Sequence, residues 1–245
     1  MRIKNPHPPP GGIDRRETVE AGASMLHLHL KRSDSTHGGC GPPEGKVCGA
    51  AVSTGYATEC IDYLAGLVFG DGTLYYDPWS RMYYIYIYDK SKDFLEKVAE
   101  YVRKYINTRI RIRKLKNKNS YELRLSGVKL YTMIVNSIEK NISSPSIWFI
   151  RGLLDAEGSL YYDKYHRKSV LEISNINIEL LKKIKNVLNE YGFKLYLIRN
   201  KRKPPRHDIY KIRIKGNEEI TYLLNMLKPL HPRLSTARVQ RPPDP

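Results

Sequence analysis

Cysteine is scarce in this 245-residue chain. Cys40, Cys48 and Cys60 are too few and too unevenly placed for a disulfide framework. His37, Cys40 and Cys48 match no zinc spacing, and no fourth ligand is evident beside them. Phenylalanine has largely given way to tyrosine, 4 against 19, so most rings must combine an apolar body with a polar tip that meets water or a ligand. No apolar run approaches the length of a membrane span. No charged segment followed by an apolar one opens the chain as a secretory signal would. An intracellular, cytoplasmic protein without membrane contact is the expectation. Negative charge is the last shortage: 25 Asp+Glu stand against 42 Lys+Arg, a formal net charge of +17. That excess points to a polyanionic partner, of which nucleic acid is the usual one. Hydrophobic residues, at 41%, suffice for a core.

Residues 1 to 55 carry "HPPPGG" and "HGGCGPPEG" and no sustained period, which predicts an irregular N-terminal extension. Residues 235 to 245, "STARVQRPPDP", read as a C-terminal tail. The middle is different. Residues 61–77, "IDYLAGLVFGDGTLYYD", begin as a helix and stop at Gly70-Asp71-Gly72. A carboxylate there faces the negative end of the helix dipole. Asp-Gly is also a common turn pair, so this copy alone is compatible with turn chemistry.

A second copy decides otherwise. Residues 147–163 read "IWFIRGLLDAEGSLYYD", and at an offset of 86 Gly66 meets Gly152, Gly70 meets Ala156, and Asp71 meets Glu157. The amphipathic helix with Phe94, Leu95, Val98 and Val102 meets Leu180, Leu181, Ile184 and Leu188. After three extra residues near "KRKPPRH", "YELRLSG" meets "YKIRIKG" at an offset of 89. The chain is therefore expected to hold two copies of one unit, at 56–141 and 142–234. Each reads helix, strand, strand, helix, strand, strand, helix, an α+β architecture with two antiparallel sheets.

Alternation assigns the faces of the strands. Tyr84, Tyr86 and Tyr88 share one face of "YYIYIY", and Arg109, Arg111 and Arg113 one face of "RIRIR". Lys211, Arg213 and Lys215 share one face of "YKIRIK". One face of each sheet is apolar and takes the helices; the other is rich in Tyr, Arg and Lys and poor in acids. Such a face is either an ordinary solvated surface or a nucleic-acid contact, and the charge of the whole chain favours the second. Arg124 and Arg199 complete the expected contact set. At an offset of 86, Arg111 and Arg113 meet Leu197 and Arg199, which predicts that the two halves read unlike half-sites.

Gly66 and Gly70 lie on one helix face, as do Gly152 and Ala156, so the two helices can pack closely. Packed in parallel about a twofold axis, they would bring Asp71 and Glu157 together. Two adjacent carboxylates repel, and a divalent cation between them resolves the conflict. Metal held above a basic surface suits phosphodiester hydrolysis. Mg²⁺ fits hard oxygen ligands best, with Mn²⁺ as a substitute. Lys90, just after "YIYIYD", and Lys164, just after "SLYYD", are candidates to steady the reacting phosphate, and each is otherwise a solvated lysine.

"YLAGLVFGDG" and "FIRGLLDAEG" resemble the two signature motifs of the LAGLIDADG homing endonucleases, and the layout over residues 56–230 resembles their single-chain members, archaeal intron-encoded ones above all. The resemblance implies tandem αββαββα units whose two saddle-like sheets sit astride DNA. It implies a monomer that cleaves both strands of a long asymmetric site with metal. It implies Asp71 and Glu157 as the metal-bound acids, assisted by the carbonyls of Gly70 and Ala156, with Lys90 as the basic residue after the strand. Asp89 stands where a polar residue, often Gln, is usual. Asp155 departs from the pattern with no catalytic part expected. Met1 and Pro245 do not resemble intein junctions, so a free intron-encoded enzyme is expected. An intron RNA maturase, or a protein with both activities, is the alternative that the same basic faces allow.

Overall fold

A computed structural model describes residues 54–116, 118–203 and 207–239. The expected N-terminal extension lies outside them but for its last two residues, as does the tail beyond 239. Helix α1 (Thr54–Asp71) leads into β1 (Gly72–Asp77) and β2 (Met82–Asp89). Then come α2 (Lys92–Tyr105), β3 (Arg109–Lys114), β4 (Tyr121–Ser126) and α3 (Val128–Ser143). The order then repeats: α4 (Ile147–Glu157), β5 (Gly158–Asp163), β6 (Lys168–Asn175), α5 (Ile178–Glu190), β7 (Tyr196–Asn200), β8 (Ile209–Lys215) and α6 (Asn217–Leu227). Two short 3₁₀ turns, Pro232–Leu234 and Thr236–Arg238, follow.

Local chemistry starts the helices as the sequence suggests. Ser91, Ser146 and Asn177 accept backbone N–H bonds at the N-termini of α2, α4 and α5. Each half builds a four-stranded antiparallel sheet, in the orders β1-β2-β4-β3 and β5-β6-β8-β7. Ile85, Ile87, Leu123 and Leu125 bury one face of the first sheet, and Leu171, Ile173, Ile212 and Ile214 one face of the second. The apolar stripes of α2 and α5 are the expected ones: Phe94, Leu95, Val98 and Val102, and Leu180, Leu181, Ile184 and Leu188, all buried.

The halves meet through α1 and α4. A Cβ built on Gly66 would lie 2.1 Å from the carbonyl oxygen of Phe149 and 2.8 Å from the nitrogen of Leu153. One built on Gly152 would lie 2.0 Å from the oxygen of Tyr63 and 2.9 Å from the nitrogen of Leu67. These contacts are reciprocal at the repeat offset, and one turn further on Gly70 meets Ala156, so the two helices run in parallel about a local twofold axis. No side chain larger than hydrogen fits at either crossing.

The register corrects two sequence expectations. Arg111 pairs with Arg124, whereas their counterparts are Tyr196 and Arg213, so β7 follows β3 at an offset of 85 and not 86. Leu197 therefore lies over Ile212 on the helix side. Arg199 pairs with Tyr210, shares that side, and binds Asp208 through Nε at 2.7 Å. It does not belong to the open face. One residue is missing before β7 and four are added between β7 and β8, a net of three, which is why the frame slipped. Second, the open faces are not poor in acid: Glu122 and Glu172 sit in the middle of them, each only 3% exposed.

Candidate active site and nucleic-acid interface

At the C-terminal ends of α1 and α4 the two motifs converge. A Cβ on Gly70 would lie 2.5 Å from Cβ of Ala156 and 3.2 Å from Cγ of Glu157. The small-residue face that lets the helices cross thus also brings the chain at Asp71 and Glu157 together, both residues half-buried. Each helix runs through its acid, and a strand begins at the next glycine, Gly72 or Gly158. Neither glycine has a positive φ. Gly72 is required by space: its Cβ would lie 2.5 Å from Cα of Val68. Among the described residues no group of three or more His, Cys, Asp or Glu side chains gathers as a metal cage. Two carboxylates and nearby main-chain carbonyls leave most of a coordination sphere to other ligands. That donor set fits Mg²⁺, which keeps waters and takes phosphate oxygens, and not a softer metal.

The lysines fare differently. Lys90 follows β2 directly and is exposed. Its counterpart at the repeat offset is Ile176, 44% exposed, so the second half has no lysine there. Lys164 sits in the turn between β5 and β6, a full strand away from Gly158. Six strand residues span roughly 20 Å, so Lys164 does not share a site with Glu157. That expectation is corrected.

What reaches the end of α4 instead is Arg233. Its Nη2 donates to the carbonyl of Asp155 at 2.5 Å and to that of Ala156. The sequence reading missed it because Arg233 follows α6, the last helix of the second unit, in a segment that no motif or period singles out. The segment is anchored by Asp155, which is fully buried. The Asp155 carboxylate accepts from the hydroxyl of Tyr63 and from the main-chain nitrogens of Leu230 and His231, all at 2.9 Å. Burial pushes the Asp155 carboxyl up, against those three donors. Burial and then the same carboxylate hold the Tyr63 phenol in its neutral, donating form. His231 in turn lies 3.4 Å from Asp89, whose carboxyl burial raises but the His231 and Ser91 contacts lower further, leaving it below its ordinary range. Asp155 is thus the residue that ties the C-terminal segment to the motif helix.

On the first open face Tyr84, Tyr86 and Tyr88 stand in a row, with successive ring centroids 6.0 and 6.2 Å apart. Arg124 lies over the Tyr84 ring at 5.1 Å. Arg109 and Arg111 are exposed, and Arg113 donates through Nε to Glu122 at 2.8 Å. On the second face Glu172 accepts from Lys211 at 2.8 Å, from Nε of Arg213 at 2.7 Å and from the Tyr161 hydroxyl at 2.9 Å. Burial raises the Glu172 carboxyl, but those donors outweigh it and hold the group below the ordinary carboxylate range. The tyrosine row has no copy here: Tyr84, Tyr86 and Tyr88 are replaced by Val170, Glu172 and Ser174. The surfaces of the two halves differ although their folds match.

Comparison with known proteins agrees with this geometry. The model of the LAGLIDADG-like domain matches residues 59–138 and again 144–227. The homing endonuclease I-DmoI of Desulfurococcus mucosus is 31% identical over 185 residues, covering 69% of this chain and 90% of that protein. I-ApeI of Aeropyrum pernix is 29% identical over 161 residues, 58% of this chain and 68% of its own length. The crystal structure of I-DmoI in complex with DNA and calcium superposes with a TM-score of 0.57 at 28% identity, over 73% of this chain and 96% of that one. I-DmoI has also been crystallised with DNA and manganese, which superposes at 0.53.

Proposed function

This chain belongs to the LAGLIDADG-like domain family, and from that premise we propose that it is a site-specific DNA endonuclease of the intron-homing type. The observation that carries the reading is the paired acid site: Asp71 and Glu157 end two parallel helices whose glycines force them together. Bound Mg²⁺ or Mn²⁺ would supply charge neutralisation for the phosphate and a more acidic water. Asp71 and Glu157 would hold the metal, with the carbonyl of Gly70 beside them. The chemistry is hydrolysis. Water oxygen bonds to phosphorus, the P–O3′ bond breaks, the 3′ oxygen leaves with a proton, and the phosphate stays on the 5′ end.

The protein's own residues do the rest. Arg109, Arg111, Arg124, Lys211 and Arg213 are the cations offered by the two open faces, and the Tyr84–Tyr86–Tyr88 row offers flat rings with polar tips. Lys90, exposed just after β2, would meet a phosphate near the Asp71 end. Because both acids come from one chain, a single molecule would carry a complete site and act on a site with unlike halves.

Cleavage-based selection from a randomised duplex library, in Mg²⁺, tests the proposal. The expected result is one long, non-palindromic sequence cut on both strands, with no cutting in EDTA. Tight metal-independent binding to the protein's own intron RNA with no duplex cut would favour the maturase reading instead.

A further inference from the structure

The two ends of the candidate site are chemically unequal, and the inequality comes from Arg233. The carbonyls of Asp155 and Ala156 are among the last of α4 and lack onward helical partners. In the second half one guanidinium nitrogen takes both of them. Their counterparts at the end of α1, the carbonyls of Phe69 and Gly70, receive no side-chain donor among the described residues. The first half has Lys90 after its second strand, where the second half has Ile176. At these positions the first half offers Lys90 and the second Arg233, from different parts of the chain.

Arg233 is held there by more than its own bonds. The buried Asp155 carboxylate binds the main chain at Leu230 and His231, and the His231 ring accepts from the Arg233 nitrogen at 3.0 Å. Arg233 keeps donors to spare: the side chain is half-buried, and Nη2 alone of its guanidinium nitrogens is engaged among the described residues. A guanidinium has five N–H donors in a rigid fork that suits phosphate oxygens. The other arginine with an unpartnered Nε, Arg151, is accounted for by the rings of Tyr63, Tyr101 and Trp148 around it. Arg233 has no such packing.

Resting on the nuclease reading, we propose that Arg233 is the catalytic cation of the Glu157 end. It takes the Ala156 carbonyl away from any metal and presents its remaining N–H groups to the scissile phosphate of one strand. The other strand relies on the Asp71 end, with Lys90 and a Gly70 carbonyl to which no described side chain donates. Asp155 is the positioning residue that sets the guanidinium in place.

The test is strand-resolved cleavage by the full chain on its selected duplex, with each strand labelled separately. R233M keeps the length and the packing but not the charge. It should slow one strand by roughly tenfold or more and leave the other within about twofold, so that nicked duplex accumulates. R233K should restore most of the lost rate. A second readout is independent of turnover: Mn²⁺ binding to the protein on a duplex with non-hydrolysable linkages, followed by electron paramagnetic resonance. Removing a positive charge and freeing a carbonyl should tighten Mn²⁺ binding by about 5- to 10-fold. Equal slowing of both strands, or no slowing, overturns the proposal, as does unchanged Mn²⁺ affinity in R233M. A wild-type chain that cuts no duplex would sink the nuclease reading itself, while the Mn²⁺ measurement would still decide where the charge of Arg233 acts.

Discussion

At the scale of the residue, the carboxylates divide into three kinds with different duties. Asp71 and Glu157 end helices against the dipole, a disposition that a bound metal would relieve. Asp71→Asn and Glu157→Gln should each abolish double-strand cleavage and leave duplex affinity within a few-fold, which gel-shift and cleavage assays on the same preparations will show. Asp155 is structural glue. Tyr63→Phe removes one of its three donors in a fully buried setting and should cost about 1–3 kcal/mol of stability by chemical denaturation. Glu172 is an acid inside a cationic face, and its folded-state pKa lies below the ordinary value. A carboxylate with a lowered pKa adds stability that is fully present above its unfolded pKa, about 4.3 for glutamate, and is lost as pH falls through the folded value. Melting temperature in the wild type should therefore drop more steeply below about pH 4.3 than in Glu172→Gln. Parallel curves would show that Lys211, Arg213 and Tyr161 do not stabilise the charged form.

At the scale of the element, α1 and α4 do two things with one stripe of small residues. The reciprocal crossings at Gly66 and Gly152 set the distance between the helices, and that distance places the acids. A methyl at Gly66 or Gly152 would meet main chain that has no room to move. Gly66→Ala should destabilise by at least about 2 kcal/mol, and cleavage should fall more than stability alone explains, because the acids separate. A Gly66→Ala protein with unchanged melting temperature and cleavage would show that the helices do not cross as described. The sheets carry a different load. Their helix-facing sides are apolar in both halves, whereas their open sides differ: the three tyrosines of β2 correspond to a valine, a glutamate and a serine of β6.

At the scale of the molecule, the charge and the repeat together set the expected behaviour. Each motif helix buries its glycine face against the other within one chain, so the free protein and its DNA complex should both scatter light as one copy. A two-chain complex on a palindromic duplex would overturn that. Cations on the open faces should act mostly through phosphates, so binding should weaken steeply with salt. Arg124→Ala or Arg111→Ala should reduce the magnitude of the slope of log affinity against log salt by about 1 where the lost contact is to phosphate, or relax specificity at one base pair by roughly 1–3 kcal/mol where it is to a base.

The sequence by itself determined whatever depends on periodicity and on like meeting like. The duplicated motif, the glycine pairs, the match of Asp71 with Glu157, the apolar stripes of α2 and α5, and the alternation of β2, β3 and β8 are all local patterns, and a helix or strand period converts them directly into faces. Tertiary structure decided what depends on register and on distant chain. The sliding of β7 by one residue, which sends Arg199 to the helix side, is set by hydrogen bonding to β8, and a one-residue slip inverts every side chain. The burial of Glu122 and Glu172 among cations depends on which strands are neighbours. Asp155 and Arg233 are 78 residues apart and in different parts of the repeat, so no period relates them. Only the folding of the C-terminal segment back onto α4 brings that guanidinium to the carbonyl beside Glu157.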